Sequence, residues 1–432
     1  MYAIQLTEDK PAHRADDEET SMSGRDAVVT GLGATTPLGG DVDSLWQGML
    51  AGRSGVRRID DLVADFPYTD DLPTKIAAPM AVSPETALSR VQARRMDRCQ
   101  QAALVAARQA WADAGSPEVD PLRLAVVIGT GIGGVNTLLA QDDLLEEKGP
   151  ARISPLTVPM LMPNGPAAWV SLEFGARAGV YTTVSACASG AEALALAARL
   201  VRAGEADVVI AGGAEAAIAP LTIAGFAQAR TLSKRNDEPE WASRPFDVDR
   251  DGFVLGEGAG VMVLERADFA AARGARVLGR LAGYGITADA HHITGPDPTG
   301  AGQVRAIRNA VSDAGLQSSD VGHVNCHATS TVVGDVGEAS AIQQALGDDV
   351  VLTAPKSSLG HLVGAAGAVE GIVTLLSVAN GVIPPTLNLD RKAPEVRLDV
   401  ASAAPREQRL AAAVCNSFGF GGQNVSLLFT AN

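Results

Sequence analysis

Strand-like and helix-like patterns alternate along this chain. Short runs rich in apolar residues at 124–128 and 206–212, and again at 277–285 and 321–325, have the composition of strands buried on both faces. Between them, apolar positions recur with helical spacing at 101–111, 191–203, 302–311 and 336–346. The 191–203 stretch is rich in alanine and leucine, Gly204 stops it, and β-branched residues at 180–185 precede it as a strand. Such alternation predicts an α/β protein in which sheets are layered with helices. It runs twice, on either side of a stretch at 268–276, and divides the chain into a half spanning 26–270 and a half spanning 271–432. Residues 1–25 lack the pattern, are polar and charged, and hold no apolar core of a secretory signal. A disordered tail is expected there, with Met22 as an alternative start. No run of about 18 or more uncharged apolar residues reads as a membrane span, because the most apolar segments carry Gly, Arg or Glu at intervals.

Composition sharpens this picture. With 432 residues and 46% hydrophobic content the chain can bury a large core, and 46 glycines beside only 4% aromatics favour helices packed tightly on sheets. A net charge of −15 argues against nucleic acid or an anionic membrane as partner. One basic cluster, Arg90, Arg94, Arg95 and Arg98, stands against that balance as a surface for an acidic partner, where a solvated helix face is the ordinary meaning. Cys99, Cys187, Cys326 and Cys415 are scattered without C-x-x-C spacing, which argues against a zinc site or a disulfide framework and fits a reducing cytoplasm.

Cys187 lies between the strand pattern at 180–185 and the helix pattern at 191–203, at a strand-to-helix elbow. A thiol there feels the positive end of the helix dipole and nearby free N–H groups, which favour the thiolate and can hold an oxyanion. A free thiol is more commonly a buried structural residue. Here two histidines in small-residue settings lie far downstream, in Asn325-Cys-His327-Ala-Thr-Ser-Thr331 and Lys356-Ser-Ser-Leu-Gly-His361. One nucleophile and two imidazoles suggest carbon–carbon chemistry on a thioester.

Around these residues the chain resembles the elongating β-ketoacyl-acyl carrier protein synthases, type II, and most closely their actinobacterial members. The resemblance runs from Val28-Val-Thr-Gly-Leu-Gly33 through the Cys187 elbow, Arg244-Pro-Phe-Asp247, Asp251-Gly-Phe-Val-Leu-Gly-Glu257 and both histidine motifs to Asn416-Ser-Phe-Gly-Phe-Gly-Gly422. It implies a thiolase-like fold, two similar βα halves in five α-β-α-β-α layers, with the active site where they meet. It implies a decarboxylative Claisen condensation of malonyl-carrier protein with an acyl chain on Cys187, in fatty-acid elongation, with polyketide-type or inhibitor-tolerant synthesis as the alternative. Carried over residue by residue, His327 and His361 stabilise the enolate, and the N–H groups of Cys187 and Phe420 form the oxyanion hole. Phe418 and Phe420 belong to a glycine-flanked gate. Lys356 joins an ionic network with Asp335, Glu338 and Glu370 as candidate partners. Thr329 and Thr331 match residues that hold the pantetheine arm, and Thr294, Phe226 and Ile132 match positions lining the substrate site. Arg94, Arg95 and Arg230 match carrier-docking positions, and Asn325, Glu370, Asn416 and Ser417 match a monovalent cation site, sodium or potassium, of some members. No cofactor is required, because phosphopantetheine arrives on the carrier, and a homodimer is expected.

Two departures stand beside the histidine region: Cys326 where alanine is usual, and Val332-Val333 where many members have proline and a small residue. Their bulk is expected to narrow the malonyl pocket. Gly129-Thr-Gly-Ile-Gly-Gly134 spells a dinucleotide-binding signature after a strand, but no acidic residue closes a second strand about 20 residues on. Degradative thiolases use a second cysteine near the C-terminus, where this chain has Cys415 followed by the condensing-enzyme loop. Initiating synthases carry asparagine in place of His361. A non-catalytic partner subunit would have lost Cys187.

Overall fold

The computed structural model describes Gly24, residues 26–64, Phe66 and residues 68–432. The expected tail lies, apart from Gly24, outside the described residues. Eleven strands make one continuous sheet. The first half supplies β1 (Ala27–Thr35), β2 (Leu124–Gly129), β3 (Gly179–Tyr181), β4 (Val208–Glu215) and β5 (Gly258–Arg266). The second supplies β6 (Gly279–Ala288), β7 (Val321–Asn325), β8 (Val351–Thr353), β9 (Asp399–Val400), β10 (Ala412–Gly419) and β11 (Gln423–Thr430).

Reading outward from the centre, the first half runs β1-β5-β4-β2-β3 and the second runs β6-β11-β10-β7-β8-β9. In both halves the first two pairings are antiparallel and the following ones parallel, so the second half repeats the first and adds one edge strand. The two half-sheets join where Val28 and Val29 of β1 pair with Arg280 and Gly279 of β6.

Five helices complete the layers. On the outer face of the first half-sheet lies α1 (Arg98–Asp113); α2 (Ser189–Arg202) is internal; α3 (Ala301–Asp313) and α4 (Val332–Leu346) cover the second half-sheet; α5 (Ala366–Asn380) packs against α2 between the sheets. This is the α-β-α-β-α arrangement the resemblance implied. The inner pair is built from small residues: Ala191, Ala193, Ala195, Ala197 and Ala198 of α2 face Ala365, Ala366, Ala368 and Val369 in one buried cluster. At the crossing even alanine is too large, since a Cβ on Gly190 would lie 2.9 Å from the Ala368 nitrogen and from the Gly364 carbonyl. The stretch Val363–Asn380 is long and apolar enough to cross a membrane, but 83% of it is buried inside the protein, which marks a core helix.

Element edges moved where caps or glycines intervene. α1 starts at Arg98 because the Asp97 carboxylate accepts from Cys99 N–H and the Gln100 side chain returns to the Asp97 N–H. Of the 180–185 stretch only Gly179–Tyr181 is strand. The 268–276 stretch, expected as a boundary, holds most of a short helix, Ala267–Ala272, that leads into β6.

Candidate active site

The nucleophile sits in a turn repeated in both halves. A single 3-10 turn, Ala186–Ala188, opens with Ala186 at φ +51 and delivers Cys187 at the foot of α2. Ser189 Oγ fixes the elbow by accepting from Ser185 N–H at 2.9 Å and donating to the Ala186 carbonyl at 2.7 Å. In the second half the turn Val363–Ala365 opens with Val363 at φ +46 and leads into α5. His361 stands just before it, its N–H donating to the Val254 carbonyl at 2.7 Å and its carbonyl accepting from Gly256 at 2.9 Å. His327 follows β7, and the Glu338 carboxylate accepts from the N–H groups of His327 and Ala328 at 2.8 and 2.7 Å.

These elements converge. His361 Nε2 lies 3.0 Å from Cys187 Sγ, and the thiol sulfur and one nitrogen of each imidazole fall within 4.8 Å of one another. The two rings stand edge to face, 5.4 Å between centroids, with Phe253 packed on His361 at 5.3 Å and Phe418 beside His327 at 6.1 Å. They end a cavity of about 340 Å3 whose walls include Cys187, Phe226, Arg230, Thr294, Thr329, Thr331, Phe418 and Phe420.

Burial dominates the electrostatics. It holds both imidazoles well below the usual histidine range, and the Lys356 ammonium pushes them the same way, so both rings are neutral. Burial also raises the Cys187 thiol to about 11, although Lys356 and the Phe420 N–H favour the thiolate. Burial therefore opposes the thiolate that the helix N-terminus favours, and a thiol in this position gives up its proton during attack. His361 Nε2 is placed to receive it.

Lys356 Nζ meets Glu370 at 2.6 Å, both fully buried, and burial lifts the Glu370 carboxyl to about 7. The other two expected partners are engaged elsewhere. Asp335 accepts from Phe246, Ser330 and Thr331 N–H groups and pairs with Arg250, while Glu338 holds the His327 backbone and the Asn416 amide. Burial raises them to about 6 and about 7.

Further expectations need correction. Ile132 does not line the cavity, and its N–H is turned onto Glu215. Cys326 packs into the second half's core and does not reach the cavity, whereas Val332 and Val333, 62% and 68% exposed, line it at its rim. Arg94 and Arg95 are exposed after a short helix, and Arg230 is exposed at the rim. Thr329 and Thr331 hydroxyls bond each other at 3.1 Å in the wall. At the inferred cation position Asn325 Oδ1, Glu370 Oε2 and Ser417 Oγ are buried oxygens without a protein hydrogen-bond partner, a donor set that fits a monovalent cation, whereas Asn416 Oδ1 is already taken by Ser426. The glycine signature at 129–134 binds no pyrophosphate, because its N–H groups at 131 and 132 end on the Glu215 carboxylate. Sequence reasoning assigned no role to Glu215, Phe253 or Val363; Phe253 lies in the quoted 251–257 motif and Glu215 is a charged residue ending an apolar run, whereas Val363 gave no signal.

A thiol and two neutral imidazoles at the junction of the duplicated halves of a five-layer fold define a thiolase-like condensing enzyme. Residues 25–270 match the profile of the β-ketoacyl synthase N-terminal domain and residues 278–390 that of its C-terminal domain, and the chain belongs to the β-ketoacyl synthase family. It is 48% identical over 405 residues, 93% of this chain and 96% of the relative, to the 3-oxoacyl-acyl-carrier-protein synthase 2 of Mycobacterium tuberculosis. Among solved structures it is similar to a β-ketoacyl synthase from Burkholderia phymatum, with TM-score 0.87, 34% identity, and 94% and 99% of the two chains covered. It is also similar to the AntDE:AntF assembly, a type II polyketide synthase acyl-carrier protein in complex with its ketosynthase, with TM-score 0.87, 30% identity and the same coverage.

Proposed function

We propose that the chain is a 3-oxoacyl-acyl-carrier-protein synthase of fatty-acid elongation. The observation that carries this reading is the 3.0 Å contact between His361 Nε2 and Cys187 Sγ, with a second neutral imidazole and the Phe420 N–H directed at the same point. In the first step Cys187 Sγ bonds the acyl carbon of the incoming thioester, the bond to the pantetheine sulfur breaks, and His361 passes the thiol proton to the leaving thiolate. In the second, malonyl thioester loses carbon dioxide. His327 donates an N–H bond to the enolate oxygen, His361 does so after its proton moves from Nδ1 to Nε2, and the enolate carbon attacks the acyl-Cys187 carbonyl. The N–H groups of Cys187 and Phe420 take the developing charge. Collapse releases the 3-oxoacyl thioester, and one proton from solvent restores the Cys187 thiol. The balance needs no cofactor.

On this reading burial keeps the imidazoles neutral, and Lys356, paired with Glu370, adds to that effect. Thr329 and Thr331 receive the carrier arm, Thr294 and Phe226 line the substrate site, Phe418 and Phe420 gate the cavity, and exposed Arg94, Arg95 and Arg230 dock the acidic carrier. A sodium or potassium ion on Asn325, Glu370 and Ser417 would neutralise buried oxygens behind the site. The unpaired edge strand β3, with Val180, Tyr181 and Val184 exposed beside the nucleophile, supports a homodimer, and four free cysteines suit the cytoplasm. The test is product formation from acyl- and malonyl-carrier protein: wild type releases 3-oxoacyl-carrier protein and Cys187→Ser does not. Equal turnover by both would overturn the reading.

A further inference from the structure

Where the halves cross there is a charged group that the condensing steps do not use. Glu215 ends β4 with no exposed surface and no cationic partner among the described residues. Its carboxylate accepts from the N–H groups of Gly131 at 2.6 Å, Ile132 at 3.3 Å and Gly364 at 3.1 Å, and from the Thr130 hydroxyl at 3.1 Å. It thus ties the loop after β2 to the turn that follows His361.

The duplication explains the arrangement. Gly364 occupies the place of Cys187: each is the second residue of a 3-10 turn that opens with a left-handed residue and leads into an inner helix. Glu215 and Gly419 likewise end the equivalent strands β4 and β10. A Cβ on Gly419 would stand 3.2 Å from the Cys187 nitrogen, so glycine there leaves clear the space in front of that N–H. In the other half the Glu215 side chain fills the corresponding space. Val363, a β-branched residue at φ +46, lies in the cavity wall, and a Cβ on Gly131 would come within 3.0 Å of its Cγ1 and 2.8 Å of Glu215. Such backbone strain persists only where the surroundings over-determine it.

We propose that Glu215 is a positioning residue: its carboxylate plugs the second half's copy of the oxyanion hole, and so locks strained Val363 into the cavity wall and holds His361 against Cys187. The role rests on the condensing reading only for its effect on rate. Burial raises the Glu215 carboxyl to about 7, so the full acceptor set exists above that pH and loses one acceptor below it. Of the elements packed on Glu215, the loop 130–133 and the turn 363–365 carry no titratable group, while Cys187 at the foot of α2 and Cys99 on α1 both feel its charge.

The test compares Cys187 acylation by an acyl thioester in wild type and Glu215→Gln from pH 6 to 8.5, as the ratio of the two rates, which cancels titrations common to both. The expected ratio is near one at pH 6 and about tenfold or more in favour of wild type at pH 8. A constant ratio would mean a merely structural residue and would overturn the proposal. Hydrogen exchange in wild type alone supplies a second reading should the variant not fold: peptides spanning 130–133 and 362–366 should lose protection, relative to intrinsic exchange, between pH 8 and pH 6. Equal protection at both would also overturn it. Absence of any acyl adduct in wild type would sink the condensing reading instead, while the exchange result still decides the clamp.

Discussion

Two loops leave equivalent strands of the two half-sheets and serve different ends. Residues 130–132 follow β2, and residues 326–328 follow β7. In each, two consecutive N–H groups end on a buried carboxylate, Glu215 in the first and Glu338 in the second, and burial raises both carboxyls to about 7. The first loop sends no side chain into the cavity, while the second sends His327. Gly131 could not be a histidine, since its Cβ alone would lie 2.8 Å from Glu215. The duplicated scaffold therefore fixes both backbones by one device, and a single side chain decides which loop does chemistry.

Removing that side chain should give the largest effect. His327→Ala should lower condensation by about 100- to 10,000-fold, measured as 3-oxoacyl product, because the enolate loses one of its two donors. Glu338→Ala attacks the backbone instead. It strands the His327 and Ala328 N–H groups and the Asn416 amide in a dry interior, and should cost about 2–4 kcal/mol in denaturant unfolding, with Glu338→Gln milder because one acceptor survives.

A third histidine shows what burial does without function. His323 on β7 has no exposure, neither ring nitrogen has a partner among the described residues, and burial holds it down at about 3. Because its folded value lies below its unfolded one, its neutral form supports the fold above about 6.5, and that support is lost as pH falls toward 3. His323→Leu should therefore gain on wild type by about 1.4 kcal/mol per pH unit lowered between 6 and 4, read from unfolding midpoints. A gap that stays constant across that range would contradict the burial account. The smallest effect belongs to Val333→Ala: an exposed rim residue should change the KM for malonyl-carrier protein by no more than about twofold.

Much of this comparison was legible in the chain. The Cys187 elbow was readable because a β-branched run met an alanine-rich helix stopped by Gly204, and β7 fell at the expected 321–325, where Val321 and Val324 lie between helical patterns. The thiol's protonation state was not. The helix N-terminus argued for a thiolate, and only three-dimensional burial, which sequence does not report, reverses that preference. The ionic network was half legible: Lys356 demanded a buried acid, but Asp335, Glu338 and Glu370 were indistinguishable until the fold gave two of them backbone N–H groups to hold. Glu215 was overlooked because its donors come from a loop some 80 residues upstream and a turn nearly 150 residues downstream.

The central claim is that the two histidines of the second half divide the work, with His361 serving the thiol before it helps at the enolate and His327 serving the enolate alone. Intact-mass kinetics on His327→Ala test it most directly: after incubation with acyl-carrier protein the variant should carry an acyl adduct on Cys187 at a rate within a few fold of wild type. That adduct should then persist when malonyl-carrier protein is added, whereas the wild-type adduct discharges into 3-oxoacyl product. An adduct that discharges at the wild-type rate, or one that never forms while His361→Ala acylates normally, would contradict the account.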